Sequence, residues 1–104
     1  MASLLDQAME LATAAHAGQL DKAGRPYILH PAAVAALCQN EDEKIVAWLH
    51  DVLEDTDVTA EELSRIFPEY IVEAVCSLTR HPNEDYMDFI RRAEKNPTAL
   101  QLLR

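Results

Sequence analysis

Residues 42–55 read DEKIVAWLHDVLED, an apolar segment that also carries a histidine and several carboxylates. It predicts one helix over Asp42–Glu54, and because apolar residues cover most of its circumference, that helix should be buried. The polar residues towards its end are His50, Asp51, Glu54 and Asp55. Since buried charges need a partner or a bound metal, we expect this segment to supply both core packing and chemistry.

These four side chains share one broad helix face, because residues at i, i+1, i+4 and i+5 lie on adjacent turns. One imidazole and three carboxylates would repel one another and resist burial unless a cation lay between them. His50 and Asp51 can each offer a ligand atom to one divalent metal. Glu54 and Asp55 could then act on a water molecule as general base and orienting group. A second imidazole would complete such a site, and His30 is the best candidate.

The same residues also have ordinary structural interpretations. A single buried histidine is usually a hydrogen-bonded core residue, and an acidic helix end is usually a solvated surface. His16 follows an apolar helix and should make a helix-end hydrogen bond instead of binding metal. His81 lies in a polar turn beside Pro82 and should be exposed.

The composition is typical of a small all-α domain. Of the 104 residues, 49% are hydrophobic and 26% are charged, an ordinary globular balance. Only 2 glycines and 5 prolines are present, which leaves little turn chemistry for β-hairpins. We therefore predict a single bundle of about six or seven helices over residues 1–104.

Capping residues and prolines predict the first helix boundaries. Ser3 can cap the first helix, and Gly18 can end it. Residues 18–29, GQLDKAGRPYIL, contain both glycines and a proline and are predicted to form one long ordered loop, a common place for functional residues. Pro31 suits the first turn of a second helix that should extend to about Gln39.

Four more helices are predicted after the central segment. A capping box opens the fourth helix at Thr59. Pro68 can begin the fifth, in which Tyr70 is expected to face inward. Asn83 can cap the sixth, and Pro97 begins a last short segment.

The acidic charge balance excludes some classes of partner. Acidic residues number 18 and basic residues 9, giving a formal net charge of -9 at pH 7. Binding to nucleic acid or to anionic membrane is therefore not expected. A phosphate substrate would need a local source of positive charge, such as a bound metal.

The cysteines and the N-terminus predict a cytoplasmic location. Cys38 and Cys76 form no Cys-x-x-Cys pair, so we expect two reduced, buried thiols. The N-terminus has no basic-then-apolar signal pattern, and no apolar run has the length of a membrane span.

Three runs of sequence resemble the HD-domain phosphohydrolases. They are AHAGQLDKAGRPYILHPAAVA at 15–35, VAWLHDVLEDTDVT at 46–59 and SLTR at 77–80. Within that family the chain looks closest to the small stand-alone relatives of the RelA/SpoT hydrolase domain of the stringent response. The resemblance extends from about Leu5 to Leu103.

This resemblance implies a metal-dependent enzyme. It implies hydrolysis of the 3′-pyrophosphate of guanosine tetra- or pentaphosphate (ppGpp), or of a related nucleotide, through a metal-activated water. It implies that His30, His50 and Asp51 bind the metal, which is usually Mn²⁺ in this branch. It also implies that Glu54 and Asp55 activate the water.

The resemblance further implies a set of substrate-binding residues. Lys22 matches a basic position that the family places near substrate phosphates. Arg80 lies in a segment close to the substrate and could reach a phosphate, although an exposed helix-end arginine is an equal alternative. Tyr27 could line the pocket or pack under the loop.

Two features depart from the family's pattern. In the RelA/SpoT hydrolases an Arg commonly precedes the basic position at Lys22 and packs against guanine, whereas Asp21 stands here, which leaves the base specificity open. Family members also continue past a segment like NPTALQ into a helix with a further Asp, a fourth protein ligand. This chain reads Leu102, Leu103, Arg104 at that point, so we expect either a truncated form or a protein that has lost part of its site, with three protein ligands left to hold a metal.

Two other functions stay open on the sequence alone. One is a catalytically impaired HD fold that binds nucleotide or metal as a regulatory module without turnover. The other is a structural helical domain whose acidic helix end is solvated. Separately, the apolar residues Ala99, Leu100, Leu102 and Leu103 have little room to pack in a shortened monomer and could form a homo-oligomer.

Overall fold

The computed structural model describes residues 3–102. This part of the chain forms eight α-helices joined by loops and contains no β-strand. The helices are α1 (Leu4–Ala15), α2 (Leu29–Ala36), α3 (Glu41–Leu49), α4 (Val52–Asp55), α5 (Ala60–Ser64), α6 (Glu69–Ser77), α7 (Tyr86–Glu94) and α8 (Pro97–Leu102). The predicted all-α bundle is therefore confirmed. One reason for the higher number of helices is that the single helix expected over Asp42–Glu54 is divided into α3 and α4.

Several of the predicted helix starts are confirmed by their hydrogen bonds. The Ser3 hydroxyl accepts the Asp6 N–H at 3.0 Å, and the Thr59 hydroxyl accepts the Glu62 N–H at 3.2 Å. At the start of α3 the Asn40 side chain accepts the Glu43 N–H at 2.8 Å. Each cap satisfies a backbone donor that the helix itself leaves unpaired.

Three local predictions differ from the structure. Helix α2 begins at Leu29 instead of Pro31, so His30 lies in its first turn, and it ends before Gln39. Asp85 caps α7 in place of Asn83, because its carboxylate accepts the Met87 N–H at 3.1 Å. Tyr70 is exposed instead of inward-facing, since its hydroxyl donates to a surface carboxylate, that of Asp42.

Helix α3 is the central helix of the bundle. It packs against α1, α2, α6 and α8. Its residues Ile45–Leu49 are buried apart from Trp48, which is half-buried against the same core. The Lys44 ammonium donates to the carbonyls of Ala35 and Cys38 at 3.2 and 3.1 Å, and so ties the end of α2 to α3.

The last described helix packs on this core. Ala99 is fully buried, and Leu102 contacts the buried cluster. The expectation that these residues have little room to pack is therefore wrong for Ala99 and Leu102, because α8 lies against α3, α6 and α7. Leu103 lies outside the described residues, and the predicted homo-oligomer stays a prediction. Separately, none of the described helices combines the length and the apolar character needed to cross a membrane.

Truncating a buried leucine tests whether this core holds the bundle together. Leu63 in α5 is fully buried, so Leu63→Ala should lower the free energy of unfolding by about 2–5 kcal/mol. Urea denaturation followed by circular dichroism measures this change. Leu37→Ala is the matched control, because Leu37 is 85% exposed and its truncation should change stability by less than about 0.5 kcal/mol. Equal losses in the two variants would contradict the packing described here.

Candidate functional site

The break between α3 and α4 brings the predicted metal ligands together. His50 and Asp51 occupy the two positions between the buried residues Leu49 and Val52, and His30 approaches from the first turn of α2. The Asp51 Oδ2 atom lies 3.1 Å from His50 Nε2 and 3.8 Å from His30 Nε2. The three side chains can offer ligand atoms that all lie within 4.8 Å of one another.

The hydrogen bonding of His50 fits a metal ligand. Its Nδ1 contacts the Ala47 carbonyl oxygen, which can only accept, so Nδ1 carries the proton. In the neutral ring this leaves a lone pair on Nε2, directed at Asp51. Two acceptors 3.1 Å apart repel each other unless a proton or a metal cation lies between them. A backbone carbonyl that fixes the histidine tautomer in this way is common behind metal-binding imidazoles.

The pKa values of His50 and Asp51 show that their mutual attraction outweighs their burial. Burial alone would lower the pKa of His50, but the hydrogen bond and the charge of Asp51 hold it above its ordinary value. Burial would raise the pKa of Asp51, but hydrogen bonds from His50 and Tyr27 hold it below its ordinary value. A proton therefore occupies the space between them readily, and a divalent cation would compete with that proton.

Tyr27 contacts the carboxylates of the site directly. Its hydroxyl donates to Asp51 Oδ2 at 2.6 Å and also lies 3.3 Å from Asp55 Oδ2. Burial and the two neighbouring carboxylates raise its pKa above the ordinary range, so the hydroxyl keeps its proton and remains a donor. Tyr27 is half-buried, and its hydroxyl lies against the carboxylates of Asp51 and Asp55.

Glu54 and Asp55 are both exposed on α4 but differ in their contacts. Together with Asp51 they can offer oxygens within 4.8 Å of one another. Asp55 is held by Tyr27 through its carboxylate and by Gln19 through its backbone carbonyl, which accepts Gln19 Nε2 at 2.9 Å. No described residue within 3–102 hydrogen-bonds the Glu54 carboxylate.

Glu54 lies between two cavities. One, of about 340 Å³, is lined by Glu54 and the predicted metal-ligand cluster (His30, His50 and Asp51), together with Val34, Leu78, Phe89 and Leu102. The other, of about 550 Å³, is lined by Leu53, Glu54, Thr79, Arg80, His81 and Pro82. A substrate lying across Glu54 could therefore contact the metal ligands and Arg80 together.

The two predicted phosphate-binding cations differ in position. Arg80 lines the larger cavity, where its Nε donates to the Glu84 carbonyl at 2.9 Å. Lys22 is exposed on the 18–29 loop and makes no hydrogen bond or ion pair with the residues that the structure describes. Arg80 is therefore beside Glu54, whereas Lys22 lines neither cavity.

Asp21 organises the loop that contains Lys22, a role that the sequence analysis missed. Its carboxylate accepts the Ala23 and Arg25 N–H groups at 2.8 and 3.0 Å and lies 3.6 Å from the Arg25 guanidinium. These N–H groups, with the charge of Arg25, lower the pKa of Asp21. The sequence does contain a pattern for this loop, because an aspartate followed by a glycine three residues later is typical of a tight turn. In the structure Gly24 has a positive φ of 82°.

Arg92 is the second residue that the sequence analysis missed. Its guanidinium donates to both Glu84 carboxylate oxygens at 2.9 and 3.0 Å, and to the carbonyls of Cys76 and Thr79 at 3.1 and 2.7 Å. These four bonds fasten the 79–85 loop, and hence the wall around Arg80, to α6 and α7. No local sequence pattern marks such a long-range clamp.

The remaining histidines follow their predictions. His81 is exposed. His16 ends α1, is only 2% exposed, and pairs through Nδ1 with Gln19 Oε1 at 3.2 Å.

Comparisons with known proteins connect this geometry to a family. A model of the HD-domain family matches residues 8–103. A probable guanosine-3′,5′-bis(diphosphate) 3′-pyrophosphohydrolase of Synechocystis is 44% identical over 72 residues, which cover 62% of this chain and 10% of that protein. The guanosine-3′,5′-bis(diphosphate) 3′-pyrophosphohydrolase of Aquifex aeolicus is 34% identical over 110 aligned positions, covering 94% of this chain and 16% of its own length.

A third relative and one solved structure agree with these matches. The bifunctional (p)ppGpp synthase/hydrolase SpoT of Escherichia coli is 39% identical over 75 residues, covering 68% of this chain and 11% of its own. A solved structure described as a metazoan ortholog of SpoT that hydrolyses ppGpp superimposes with a TM-score of 0.80 at 23% identity. The superposition covers 99% of this chain and 65% of the solved chain. At this low identity the similarity shows a shared fold. The chain thus spans only 10% to 16% of these curated relatives.

Thermal stability with and without Mn²⁺ tests the cluster. Mn²⁺ at about 100 times its dissociation constant should stabilise the fold by about 2.7 kcal/mol, visible as a higher Tm in differential scanning calorimetry. His50→Ala removes a ligand and should abolish this shift. His81→Ala is the control, because His81 is exposed and outside the cluster, and it should retain the full shift. The same shift in His50→Ala and in the unaltered chain would contradict a metal site at His50.

The pH dependence of stability tests the Arg92 clamp. The hydrogen bonds from Arg92 lower the pKa of Glu84 from its ordinary 4.5 to about 2 in the folded state. A lowered folded-state pKa means that the stabilisation is fully present above the unfolded pKa and is lost as pH falls from about 4.5 to 2. Glu84→Gln removes this titration, so its stability deficit relative to the unaltered chain should shrink over that interval.

Chemical denaturation at a series of pH values measures the difference. Glu73→Gln, at an exposed glutamate on α6, is the control and should not reproduce the effect. A deficit in Glu84→Gln that stays constant between pH 7 and pH 2.5 would contradict the clamp.

Proposed function

We propose that this chain, which belongs to the HD-domain family, is a metal-dependent phosphohydrolase that removes the 3′-pyrophosphate of guanosine tetra- or pentaphosphate or of a related nucleotide. The match over residues 8–103 confirms the family that the sequence resembles. The observation that carries the proposal is the convergence of His30 and His50 on one oxygen of Asp51. The names of the relatives support the substrate class.

The metal would be held by His30, His50 and Asp51, and we propose Mn²⁺ as the ion. Two imidazole nitrogens and a carboxylate oxygen form a donor set that suits first-row divalent metals. When bound, such an ion supplies positive charge against phosphate oxygens and lowers the pKa of water. The chain needs that charge locally, because its formal net charge is -9.

Glu54 is the proposed general base, and Asp55 is the proposed orienting group. The Glu54 carboxylate is exposed between the two cavities, so it can accept the proton of an attacking water. Asp55 is restrained by Tyr27 and Gln19, which suits it to hold a water in place.

Arg80 and Lys22 are the proposed phosphate-binding residues. Arg80 lines the same cavity as Glu54 and can present a guanidinium to phosphate oxygens. The exposed Lys22 ammonium can approach a phosphate from the loop by rotation of its side chain. Asp21, which stands where the family commonly has an arginine, binds the loop backbone and offers no guanidinium to stack on guanine, so we expect the requirement for guanine to be less strict. A cytoplasmic location stays part of the proposal.

Pyrophosphate release from guanosine tetraphosphate in the presence of Mn²⁺ tests the function. The unaltered chain should release pyrophosphate with turnover, and Glu54→Gln should lower kcat by about 10²–10⁴-fold, because it cannot accept a proton. Glu54→Gln should bind Mn²⁺ as the unaltered chain does, because Glu54 is outside the proposed ligand set. Glu61→Gln, an exposed acidic residue on α5, is the matched control and should keep full kcat.

Binding without turnover would overturn this proposal. If the unaltered chain binds Mn²⁺ and the nucleotide but releases no pyrophosphate, the chain is a binding or regulatory module.

A further inference from the structure

Behind the metal-ligand cluster lie three residues of α1 and the following loop that contact one another: His16, Gln19 and Tyr27. His16 has no part in the hydrolysis proposed above, and Gln19 enters it only as a restraint on the backbone of Asp55. Their contacts nevertheless lead from the buried core to two carboxylates of the site.

The hydrogen bonds of this group fix the orientation of each member. The Asp55 carbonyl can only accept, so the Gln19 amide presents Nε2 to it at 2.9 Å and turns Oε1 towards His16. That oxygen in turn can only accept, so His16 Nδ1 carries the proton of the 3.2 Å bond. The chain of donors therefore begins in the core at His16 and ends on the backbone of Asp55.

The environment of the other His16 nitrogen, Nε2, differs from that of Nδ1. Nε2 is buried and has no hydrogen-bond partner among the residues that the structure describes. An unpaired buried acceptor destabilises the fold, and an apolar side chain of similar volume would avoid that cost. Within the described residues the His16 side chain makes one hydrogen bond, to Gln19, so its polar role is to hold that amide.

Tyr27 is held by both members of this chain. Its ring centroid lies 5.0 Å from that of His16, and its N–H donates to the Gln19 carbonyl at 2.9 Å. The ring also lies 5.9 Å from the ring of His30, centroid to centroid. A tyrosine has two side-chain torsions, and contacts with two neighbouring rings restrict the position of its hydroxyl.

The hydroxyl of Tyr27 contacts the atom on which the metal site converges. Asp51 Oδ2 accepts it at 2.6 Å, and the same oxygen faces His50 Nε2 at 3.1 Å and His30 Nε2 at 3.8 Å. Asp55 Oδ2 lies 3.3 Å from the hydroxyl, so one donor lies between two carboxylates that otherwise repel. Removing the hydroxyl would leave the orientation of the Asp51 carboxylate to its contacts with the two histidines alone within the described residues.

We propose that Tyr27, braced by His16 and Gln19, is a positioning residue that orients the ligating oxygen of Asp51 and couples it to Asp55. Any effect on turnover rests on the proposed metal-dependent hydrolysis. The effect on Asp51 requires only that the cluster binds a divalent cation.

Mn²⁺ affinity of Tyr27→Phe tests the proposal without reference to activity. Electron paramagnetic resonance of unbound Mn²⁺ measures the affinity directly. Loss of a hydrogen bond to a metal-binding carboxylate should weaken Mn²⁺ binding about 10–100-fold. Tyr70→Phe is the matched control, because its hydroxyl also donates to a carboxylate, Asp42 at 3.3 Å, but on the surface, and affinity should not change. A Tyr27→Phe affinity within twofold of the unaltered chain overturns the proposal.

The brace is tested by Gln19→Met, alone and combined with Tyr27→Phe. Methionine keeps the length of the side chain and the carbonyl that accepts the Tyr27 N–H, but it cannot bridge His16 and Asp55, so the variant tests whether the side-chain bridge holds the His16 ring against Tyr27. If Gln19 acts through Tyr27, the loss of affinity in the double variant is smaller than the product of the two single losses. If the loss of Mn²⁺ affinity in the double variant equals the product of the two single losses, the role of Gln19 as a brace is overturned.

The failures of the two proposals are distinguishable. Mn²⁺ binding that depends on Tyr27, without pyrophosphate release, overturns the hydrolase and supports the positioning role. Pyrophosphate release, together with a Mn²⁺ affinity that Tyr27→Phe leaves unchanged, supports the hydrolase and overturns the positioning role.

Discussion

A half-buried carboxylate requires compensating donors, and the site depends on how this requirement is met at Asp51. Its side chain is only 16% exposed, between the buried residues Leu49 and Val52. Tyr27 supplies a hydroxyl, and His50 supplies a proton or leaves room for a metal. Because α3 is the central helix of the bundle, the packing that stabilises the fold also fixes the position of this carboxylate. Site and core therefore cannot be separated in this chain.

The basic residues near the site divide into structural and available cations. Arg25 pairs with Asp21 to shape the loop, and Arg92 pairs with Glu84 to fix the wall opposite. Arg80 donates only to a neutral carbonyl, so its charge is not neutralised by that bond. In an acidic protein this arrangement leaves the guanidinium of Arg80 available in the cavity that Glu54 also lines. Local charge, not net charge, then decides whether an anion can approach.

The sequence predicted the helices because they depend on local patterns, and it brought His50 and Asp51 together as candidate ligands because they are neighbours in the chain. Apolar periodicity and the caps at Ser3 and Thr59 act within a few residues of each other. The division of the helix at His50 has no such pattern, because side-chain contacts from the 18–29 loop and α2 act at that point. Tyr70 was misplaced because periodicity scores a tyrosine as apolar, although its hydroxyl reaches a surface carboxylate. The cap of α7 was predicted at Asn83 and lies at Asp85, because the two residue types cap helices equally well. The long-range ion pair between Arg92 and Glu84, the residue before Asp85, is not visible in the local sequence.

The environments of Glu54 and Asp55 argue for two different roles in one turn of helix. Asp55 is fixed at both its carboxylate and its backbone by a chain of contacts that ends in the core at His16. Glu54 has no such restraint within the described residues and is exposed to both cavities. Proton transfer requires a group that is accessible and unpaired, whereas orientation requires a group that does not move. Under the proposed function, the surroundings of two adjacent carboxylates therefore separate a proton acceptor from an orienting group, as in other sites where environment separates acid and base.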